Sequence, residues 1–297
     1  MSNRMNIALT THATMHLTLG YQEVVDTLAW GLQKIGYDVS LSYNELRPDA
    51  RNIVFRADEA SIPVLGVFPT DTIIYNLEQS YALYDLADRP ANEEAATRWD
   101  RYVYIRKNFE VWDYSCRNVD AMLTIESKMP VKHVPIGFAP ILQRIAKPQN
   151  QDIDILIYGM PHAYRLNVFK KLCGKMFRCL FVCGLYGQAR DELIGRSKII
   201  LSLTGGEAES LFPIVRASYL LANHKLVVSD ICPNLHIETD MISAVRFCPT
   251  EFIDSFCQYW LSNDSERLEA ENYGFNIMAQ RDIRGILLAA LGRHGDL

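Results

Sequence analysis

Residues 196–230 read RSKIILSLTGGEAESLFPIVRASYLLANHKLVVSD and decide the fold class. The stretch contains, in order, an apolar run at 199–203, a polar loop at 204–210, a helix-like run at 213–222 and an apolar run at 226–229. A strand, a loop, a helix and a second strand form a βαβ unit, the building block of a parallel sheet. The stretch therefore predicts an α/β protein.

The loop 204–210 is the first candidate binding site, because ligands of open α/β sheets bind where a strand ends and a helix begins. The free N–H groups and the dipole at a helix amino end suit an anion such as a nucleotide phosphate. Carboxylates would repel a phosphate but can accept hydrogen bonds from ribose or sugar hydroxyls. Arg216 is polar within an apolar helix, and it either turns toward this site or lies on a solvated face. The loop residues assigned to the site are Gly205, Gly206, Glu207, Glu209 and Ser210.

Composition is that of a folded protein. The chain has 297 residues, of which 49% are hydrophobic and 22% charged, with a net charge of −5 and a pI near 5.8. The length is consistent with two domains. No run of Lys or Arg is longer than two residues, which argues against a dominant nucleic-acid surface, since such a surface needs clustered cations. The composition is still compatible with a local basic groove.

The cysteines and the apolar runs favour an intracellular protein. The seven cysteines include no CxxC pair, a pattern that predicts reduced thiols and no zinc site. No apolar run reaches 18 residues, so we expect no membrane-spanning helix, and the first residues lack a signal-peptide pattern. We expect a cytoplasmic location, which includes a peripheral position at the inner membrane face.

The first half shows the same order of elements. We predict a strand at 6–10, a loop at 11–20, a helix at 21–35 and a second strand at 39–41. His12 and His16 follow the first strand. They are candidates for a general base, an acceptor ligand or a phosphate contact, and the alternative is a pair of solvated loop histidines. The loop lacks GxGxxG, so a nicotinamide site is not indicated.

Glu78 is a third candidate of the first half. Strands are predicted at 52–55 and 72–75, and Glu78 follows the second. It could orient an acceptor hydroxyl or act as a base, or it could be a helix-start carboxylate favoured by the dipole. Farther along, we expect a surface excursion at 85–96, a helical region at 98–122 and short strands at 121–125 and 132–135.

A Pro- and Gly-containing stretch at 137–151 predicts a domain boundary. A second βαβ series follows, with a strand at 153–158, a loop at 159–164, a helix at 165–172 and a strand at 178–182. Gly159, His162 and Arg165 lie on or just after its first carboxyl-end loop. Arg165 could make bidentate contacts with a pyrophosphate, or it could be a surface arginine.

The next carboxyl-end loop, 184–187, contains two glycines that let the backbone approach a base or ribose closely. Gly184 and Tyr186 are assigned to the donor site on this ground. The helix 189–196 carries Arg190, which we expect to be solvated. A final helix is predicted at 275–291.

Several segments resemble the Glycosyltransferase-1-like family of bacterial glycosyltransferases, which have the GT-B fold. The segments are DILIYG at 154–159, FVCGLYGQARDELIGRSKIILSL at 181–203, LFPIVRASYLLANHKLVVSD at 211–230, and WDYSCRNVDAML with VKHVPIGFAP at 112–123 and 131–140. The resemblance implies two Rossmann-like doubly wound parallel-sheet domains facing a cleft. We place an acceptor domain at 1–137, a linker at 138–151, a donor domain at 152–274 and a C-terminal helix at 275–297 that can pack back toward the first domain.

The resemblance also implies the chemistry. A nucleotide-sugar would bind mainly to the second domain and the acceptor to the first, without a bound metal. Arg165 and the amides of 205–210 would neutralise the departing diphosphate, and Glu207 or Glu209 would hold donor hydroxyls. The residues facing the acceptor would be His12, His16 and Glu78.

The sequence departs from the family pattern at two positions. Many retaining members carry two glutamates eight positions apart, and alignment on LANHKLVVSD places Leu211 and Tyr219 there. Neither can serve as an acid, so retention or inversion cannot be read from the sequence. Tyr219 could stack on a ligand or simply pack.

The sequence thus favours a metal-independent glycosyltransferase with no cofactor beyond its nucleotide-sugar co-substrate, acting on a glycan, a glycolipid or another acceptor. One alternative is a non-catalytic nucleotide- or sugar-binding subunit of a glycosylation complex. A second is a DNA-base glycosyltransferase, and a third is another two-domain α/β enzyme such as a sugar-nucleotide epimerase.

Overall fold

The computed structural model describes residues 3–10, 19–86, 88–204, 209–231 and 234–293. The chain forms two compact units, each with its own parallel sheet. Unit 1 comprises Met1–Ile136 together with Ile283–Leu297, and unit 2 comprises Gly137–Asp282. The predicted α/β class with two parallel sheets is confirmed.

Unit 1 contains a six-stranded parallel sheet in the order β2-β1-β3-β4-β5-β6. Its strands are β1 (Arg4–Leu9), β2 (Asp38–Tyr43), β3 (Arg51–Phe55), β4 (Ile73–Asn76), β5 (Glu110–Asp113) and β6 (Val131–His133). The helices between them are α1 (Gln22–Lys34), α2 (Ile62–Leu65), α3 (Tyr81–Tyr84), α4 (Glu93–Asn108) and α5 (Cys116–Met122). The central strands bury Ile7, Ile53, Ile73 and Trp112, as expected for a sheet covered on both faces.

The prediction of one helical region at 98–122 was wrong. Helix α4 ends at Asn108 and strand β5 follows, with Val111 opposite Ile74 on one side and Val131 on the other. The apolar and aromatic residues of β5 continue the helical spacing of their neighbours, so periodicity did not separate them.

A smaller prediction in the same region was also wrong. Residues 121–125 form no strand, because Ala121 and Met122 end helix α5 and the Thr124 N–H closes a turn onto the Ala121 carbonyl at 3.2 Å. The segment 85–96, expected as a surface excursion, is exposed over most of its described length. It contains the start of α4, where the Asn92 side chain caps the helix by accepting from the Ala95 N–H at 3.0 Å.

Unit 2 contains a five-stranded parallel sheet in the order β13-β11-β9-β7-β8 and a separate parallel pair, β10-β12. The strands are β7 (Ile153–Tyr158), β8 (Cys179–Val182), β9 (Ser197–Leu201), β10 (Glu209–Leu211), β11 (Leu226–Asp230), β12 (Asn234–His236) and β13 (Arg246–Cys248). The helices are α6 (Ala163–Cys173), α7 (Gly187–Arg196), α8 (Ile214–Ala222), α9 (Met241–Ala244), α10 (Ile253–Ser262) and α11 (Asp264–Ala279).

The βαβ unit predicted for 196–230 is confirmed. It consists of β9, α8 and β11, and the two strands pair in parallel with Leu226 opposite Ile199. Part of the predicted loop 204–210 instead forms strand β10, where Glu209 pairs with Asn234.

The segment 138–151, expected as a linker, lies in unit 2. The backbone N–H groups of Arg144 and Ile145 both donate to the Asn223 side-chain oxygen at 2.9 Å. This stretch is therefore hydrogen-bonded to the residue that follows α8.

The final helix predicted at 275–291 was wrong, since two helices occupy this region: α11 ends at Ala279, and α12 spans Ile283–Ala290. Between them the Arg281 carbonyl accepts from the Phe138 N–H at 2.7 Å, and the Arg281 side chain bonds Glu238 and, at 3.3 Å, Asp240. These contacts hold the connecting turn within unit 2.

Helix α12 belongs to unit 1 and packs closely on α1. A Cβ added at Gly31 in α1 would lie 2.7 Å from a methyl carbon of Leu287 and 2.9 Å from one of Ile283. The two helices approach to a distance that only glycine permits at this point. No helix in the described ranges is long and apolar enough to cross a membrane.

Candidate functional site

Gly159 follows the carboxyl end of β7. Open α/β sheets bind their ligands at this edge, outside the carboxyl ends of the strands. The φ of Gly159, +130°, is in the region that favours glycine. A Cβ added there would lie 2.8 Å from Nη2 of Arg216 and 3.2 Å from Nη1 of Arg165. Two guanidinium groups therefore meet over the missing side chain of Gly159, and we call Arg165 and Arg216 the arginine pair.

Arg165 is held in place by the main chain. It lies in the first turn of α6, and its two terminal nitrogens donate to the carbonyls of Leu203 at 2.9 Å and Met160 at 3.2 Å. Its Nε is buried and has no hydrogen-bond partner among the described residues. Burial, together with repulsion from Arg216, lowers the pKa of Arg165 to about 10.

Arg216 lies in the first turn of α8, and its guanidinium carbon lies 5.1 Å from the centre of the Tyr158 ring. Burial lowers the pKa of Arg216 below its ordinary value. In the described parts of the chain, no carboxylate forms an ion pair with Arg165 or Arg216. The Asp230 carboxylate is close enough to act on the charge of Arg165, but among the described residues it forms no ion pair with either guanidinium. Two such half-buried cations suit an anion, and a guanidinium matches the oxygens of a phosphate.

Asp230, at the end of β11, organises the loops around the arginine pair. Its buried carboxylate accepts from the Thr204 N–H at 2.7 Å, the Thr204 hydroxyl at 2.6 Å and the Tyr164 hydroxyl at 2.5 Å. Asp230 thus connects Thr204, which lies in the loop after β9, to Tyr164 in the first turn of α6. Sequence reasoning missed this role, although an acid that closes the apolar run LVVSD is a usable signal.

Three other residues predicted for the donor site follow strands at the same edge of the sheet, and Ser210 lies in the separate β10-β12 pair. His162 immediately precedes α6, and its ring stacks on Tyr164 with the centroids 6.4 Å apart. Gly184 has a φ of +69° and follows β8, the neighbour of β7, and Tyr186 immediately precedes α7. Ser210 is buried in β10, where its hydroxyl donates to the Leu211 carbonyl at 3.3 Å.

Some predicted residues lie outside the described part of the chain. They are His12, His16, Gly205, Gly206 and Glu207, together with the side chain of Glu209, whose backbone belongs to β10.

The expectation that Arg190 is solvated was wrong, since it is 5% exposed. The guanidinium carbons of Arg190 and Arg144 lie 5.0 and 5.3 Å from the centre of the Tyr219 ring. The Tyr219 hydroxyl donates to Asp191 at 2.7 Å. Tyr219 therefore packs between α7 and the 138–151 segment. Leu211 is buried as well, so both positions aligned with the family's acids are packing positions.

Glu78, in unit 1, is fixed at the carboxyl end of β4. Its N–H donates to the Asn76 side chain at 3.2 Å, and its carbonyl accepts from Asn76 at 3.0 Å and Asn118 at 2.8 Å. Its carboxylate accepts a hydrogen bond from the Tyr21 hydroxyl. Hydrogen bonds therefore fix both the backbone and the carboxylate of Glu78. Glu78 lies in the loop that precedes the helix beginning at Tyr81.

Asp113 supports this arrangement from the end of β5. Its fully buried carboxylate accepts from Asn76 at 2.6 Å, from Asn118 at 3.0 Å and from the Ser115 N–H at 2.8 Å. Burial raises the pKa of Asp113 to about 7, despite these donors. The sequence analysis missed Asp113 because its strand had been assigned to a helix.

A small cavity of about 10 Å³ adjoins Glu78 and is lined in part by Asp58 and Tyr102. The Tyr102 hydroxyl is buried and has no partner among the described residues. Burial, with repulsion from Glu78 and Glu59, raises the pKa of Asp58 to about 6. This space is about the size that holds one water molecule. Within the described ranges, no group of three His, Cys, Asp or Glu residues could hold a metal ion.

No protein-family model and no curated protein sequence matches the chain. Solved structures match it over nearly its whole length. Sucrose-phosphate synthase from Thermosynechococcus elongatus is 12% identical with a TM-score of 0.63, covering 97% of this chain and 98% of that one. The DNA-modifying enzyme β-glucosyltransferase is 10% identical, with a TM-score of 0.59 and coverages of 97% and 99%. HepE from Anabaena, solved in complex with UDP-glucose, is 9% identical, with a TM-score of 0.58 and coverages of 97% and 99%.

The fold is GT-B. The fold that the resemblance implied is thereby confirmed. Identities this low show the fold alone, so activity in a GT-B chain has to be argued from its own residues. The arginine pair at the carboxyl edge of the unit 2 sheet is the feature from which that argument starts.

Proposed function

We propose that the protein is a glycosyltransferase whose nucleotide-sugar donor binds to unit 2, with its diphosphate at the arginine pair. The observation that carries the proposal is the convergence of Arg165 and Arg216 over Gly159, in a chain with the GT-B fold. A glycine at the end of a strand, two guanidinium groups and two helix amino ends form an anion site. The carboxylate of the nearby Asp230 is hydrogen-bonded to Thr204 and Tyr164.

The chemistry follows from where charge develops. When the bond between the sugar and the diphosphate breaks, the electron pair of that bond stays on the diphosphate. Two positive charges fixed beforehand stabilise this leaving group in the transition state. Because the side chains at the site are held by Leu203, Met160 and Tyr158, little reorganisation is needed. We propose that this electrostatic role makes transfer independent of a metal ion.

We propose that unit 1 binds the acceptor. Glu78 is the candidate base with a defined position, since Asn76, Asn118 and Tyr21 fix both its backbone and its carboxylate. It would accept the proton of the acceptor hydroxyl as that oxygen attacks the sugar. His12 and His16 remain candidates for the same side, and Glu207 and Glu209 for the donor hydroxyls. The acceptor class extends to a glycan, a glycolipid or a DNA base.

The test is calorimetric titration of the whole protein with UDP, GDP, ADP and CMP, with and without EDTA. We expect one nucleoside diphosphate to bind with a Kd below about 100 μM, equivalent to about −5.5 kcal/mol, and EDTA to leave that Kd unchanged. Absence of binding by all four nucleotides would end the proposal. A Kd that rises in EDTA would remove its metal-independent part.

A second candidate function is a non-catalytic nucleotide-sugar-binding subunit. It is favoured by the burial of Leu211 and Tyr219, which fill the two positions where many relatives carry acids. Incubation of the protein with the nucleotide-sugar that corresponds to the bound nucleotide separates the two functions. A transferase hydrolyses or transfers the sugar slowly even without its natural acceptor, whereas a binding subunit leaves the donor intact.

A further inference from the structure

A second and larger cavity in unit 1, with a volume of about 210 Å³, lies at the carboxyl ends of β1 and β2. Its floor is made by Ala8 and Leu9, which are buried. Val64 in α2 and the ring of Phe68 line it as well. It shares no described lining residue with the small cavity beside Glu78.

The side of the cavity formed by residues 44–46 is held in place by two asparagines in the interior of the sheet. Asn6 is fully buried and donates to the Ser42 hydroxyl and the Asn52 side chain at 2.9 Å. Ser42 in turn donates to the Glu45 carbonyl at 2.6 Å. Asn52 accepts from the Arg47 N–H at 2.9 Å and donates to its carbonyl at 3.1 Å.

Buried amides within a sheet are costly unless they are hydrogen-bonded, and here their bonds fix the chain from 44 to 47. Asn44 has a φ of +54°, and its N–H donates to the Leu9 carbonyl at 3.0 Å. On the opposite side, the Phe68 ring packs against Phe109, with centroids 6.0 Å apart. The cavity is therefore preformed, which lowers the entropy cost of filling it.

The lining determines what the cavity can hold. Its described lining is mainly aliphatic and aromatic, with Thr10, Asn44 and Glu45 as its polar members and no Lys or Arg. A phosphate would find no cation among the described lining residues, and an unsubstituted sugar would bury hydroxyls against the aliphatic side chains. An apolar cavity of roughly 150 Å³ is enough for a benzene ring, so this one has room for a ring that carries a substituent.

We propose that this cavity binds an apolar, ring-sized part of the acceptor, such as an aromatic aglycone, with its polar substituent toward Thr10, Asn44 and Glu45. The acceptor role rests on the proposed transferase function, whereas the binding of an aromatic ring does not. The acceptor is then an aryl glycoside or a phenol rather than an unsubstituted sugar chain.

The test compares two probes on the whole protein by calorimetry, without nucleotide: phenyl β-D-glucopyranoside and methyl β-D-glucopyranoside. We expect the phenyl glucoside to bind at least about tenfold more tightly. Equal affinity for the two glucosides, as would follow if side chains of the chain itself filled the space, overturns the inference.

Two matched variants locate the ring. Val64 lines the cavity and is 42% exposed, whereas Val67 lies nearby on the surface and is 79% exposed. We expect V64D to abolish the phenyl preference and V67D to keep it, with both variants melting as cooperatively as the parent. Should V64D unfold, V64S serves in its place. A phenyl preference that survives in the variants at position 64 also overturns the inference.

Titration of the same samples with UDP, GDP, ADP and CMP separates the two proposals. If a nucleotide binds but the phenyl glucoside binds no more tightly than the methyl glucoside, only the cavity inference is overturned. A phenyl preference without binding of any nucleotide supports the cavity and removes the transferase.

Discussion

Gly159 shows how one residue without a side chain can create a site. The two guanidinium groups occupy the space into which a Cβ would project, and the backbone conformation of the residue favours glycine in any case. The positions of Gly159 and Arg165 after a strand were enough to nominate them as candidate site residues. Arg216 could be nominated because it is polar in an apolar helix, but its distance from Arg165 depends on the sheet and could not be read from the sequence.

The first prediction concerns the arginine pair. We expect R165A and R216A each to raise the Kd for the nucleoside diphosphate by about 10- to 100-fold, the effect of losing a charge-assisted hydrogen bond worth about 1.5–3 kcal/mol. The matched control is R178A. Arg178 is 56% exposed and precedes β8, at the edge of the sheet opposite Gly159. Calorimetry should show an unchanged Kd for R178A, and an equal loss in all three variants would remove the arginine pair from the site.

A second prediction concerns Asp58, whose pKa of about 6 in the folded protein lies above the ordinary value of 3.8. A folded-state pKa that is raised adds stability at low pH, and this contribution is lost as the pH rises through about 6. We therefore expect D58N to increase the free energy of unfolding at pH 8 by up to about 3 kcal/mol and to give no gain near pH 4.

Urea titrations of D58N and of the parent at each pH between 4 and 8 measure this difference. The control D71N replaces an exposed carboxylate of the same unit and should follow the parent at every pH. A D58N curve parallel to that of the parent would show that Asp58 is not the group that titrates.

At the scale of elements, apolar runs next to polar loops were predictable as strands, and a strand between two helices was not. The strands at 199–203 and 226–229 were found because uninterrupted apolar residues on either side of a loop have few alternatives to a parallel strand. Strand β5 was missed because Val111 and Trp112 fit the helical spacing of α4 and α5. The break between α11 and α12 was missed because it depends on Arg281 contacts with residues distant in sequence.

The contact between α1 and α12 gives a third prediction. Alanine is favoured over glycine by about 1 kcal/mol in a helix interior, but a Cβ at Gly31 would meet Leu287 at 2.7 Å. We expect G31A to lower the free energy of unfolding by about 1–3 kcal/mol through overpacking, measured by chemical denaturation.

The double variant tests whether that contact is the cause. L287A alone should cost about 2–5 kcal/mol, and G31A/L287A should cost less than the sum of the single changes. As a control, G66A places a Cβ no closer than 3.4 Å to any neighbour and should change stability less. Additive costs in the double variant would contradict the contact.

At the scale of the whole molecule, the sequence predicted the fold class and the two parallel sheets. A C-terminal helix that can pack back toward the first domain was expected, but the return point at Ile283 was not, because the residues of α11 and α12 share one helical pattern and only the packing partners differ.

The fourth prediction follows from this division. Unit 2 is one continuous segment with its own core, which includes Ile155, Leu201 and Val228. We expect residues 137–282, expressed alone, to unfold cooperatively and to bind the nucleoside diphosphate with a Kd within about threefold of that of the whole protein, a difference of about 0.65 kcal/mol. Heat-capacity calorimetry and a nucleotide titration measure both. A segment that folds but does not bind would show that the donor site needs residues of unit 1.

The return of the chain through α12 has a consequence for synthesis on the ribosome. Domains usually fold in the order in which they emerge, but here residues up to 136 cannot cover the Gly31 face of α1 until residues 283–290 have been translated. Unit 2 can fold in the meantime. Unit 1 is thus begun before unit 2 is translated and completed after it, and a premature stop codon shortly before Ile283 would damage the unit whose sheet precedes residue 137.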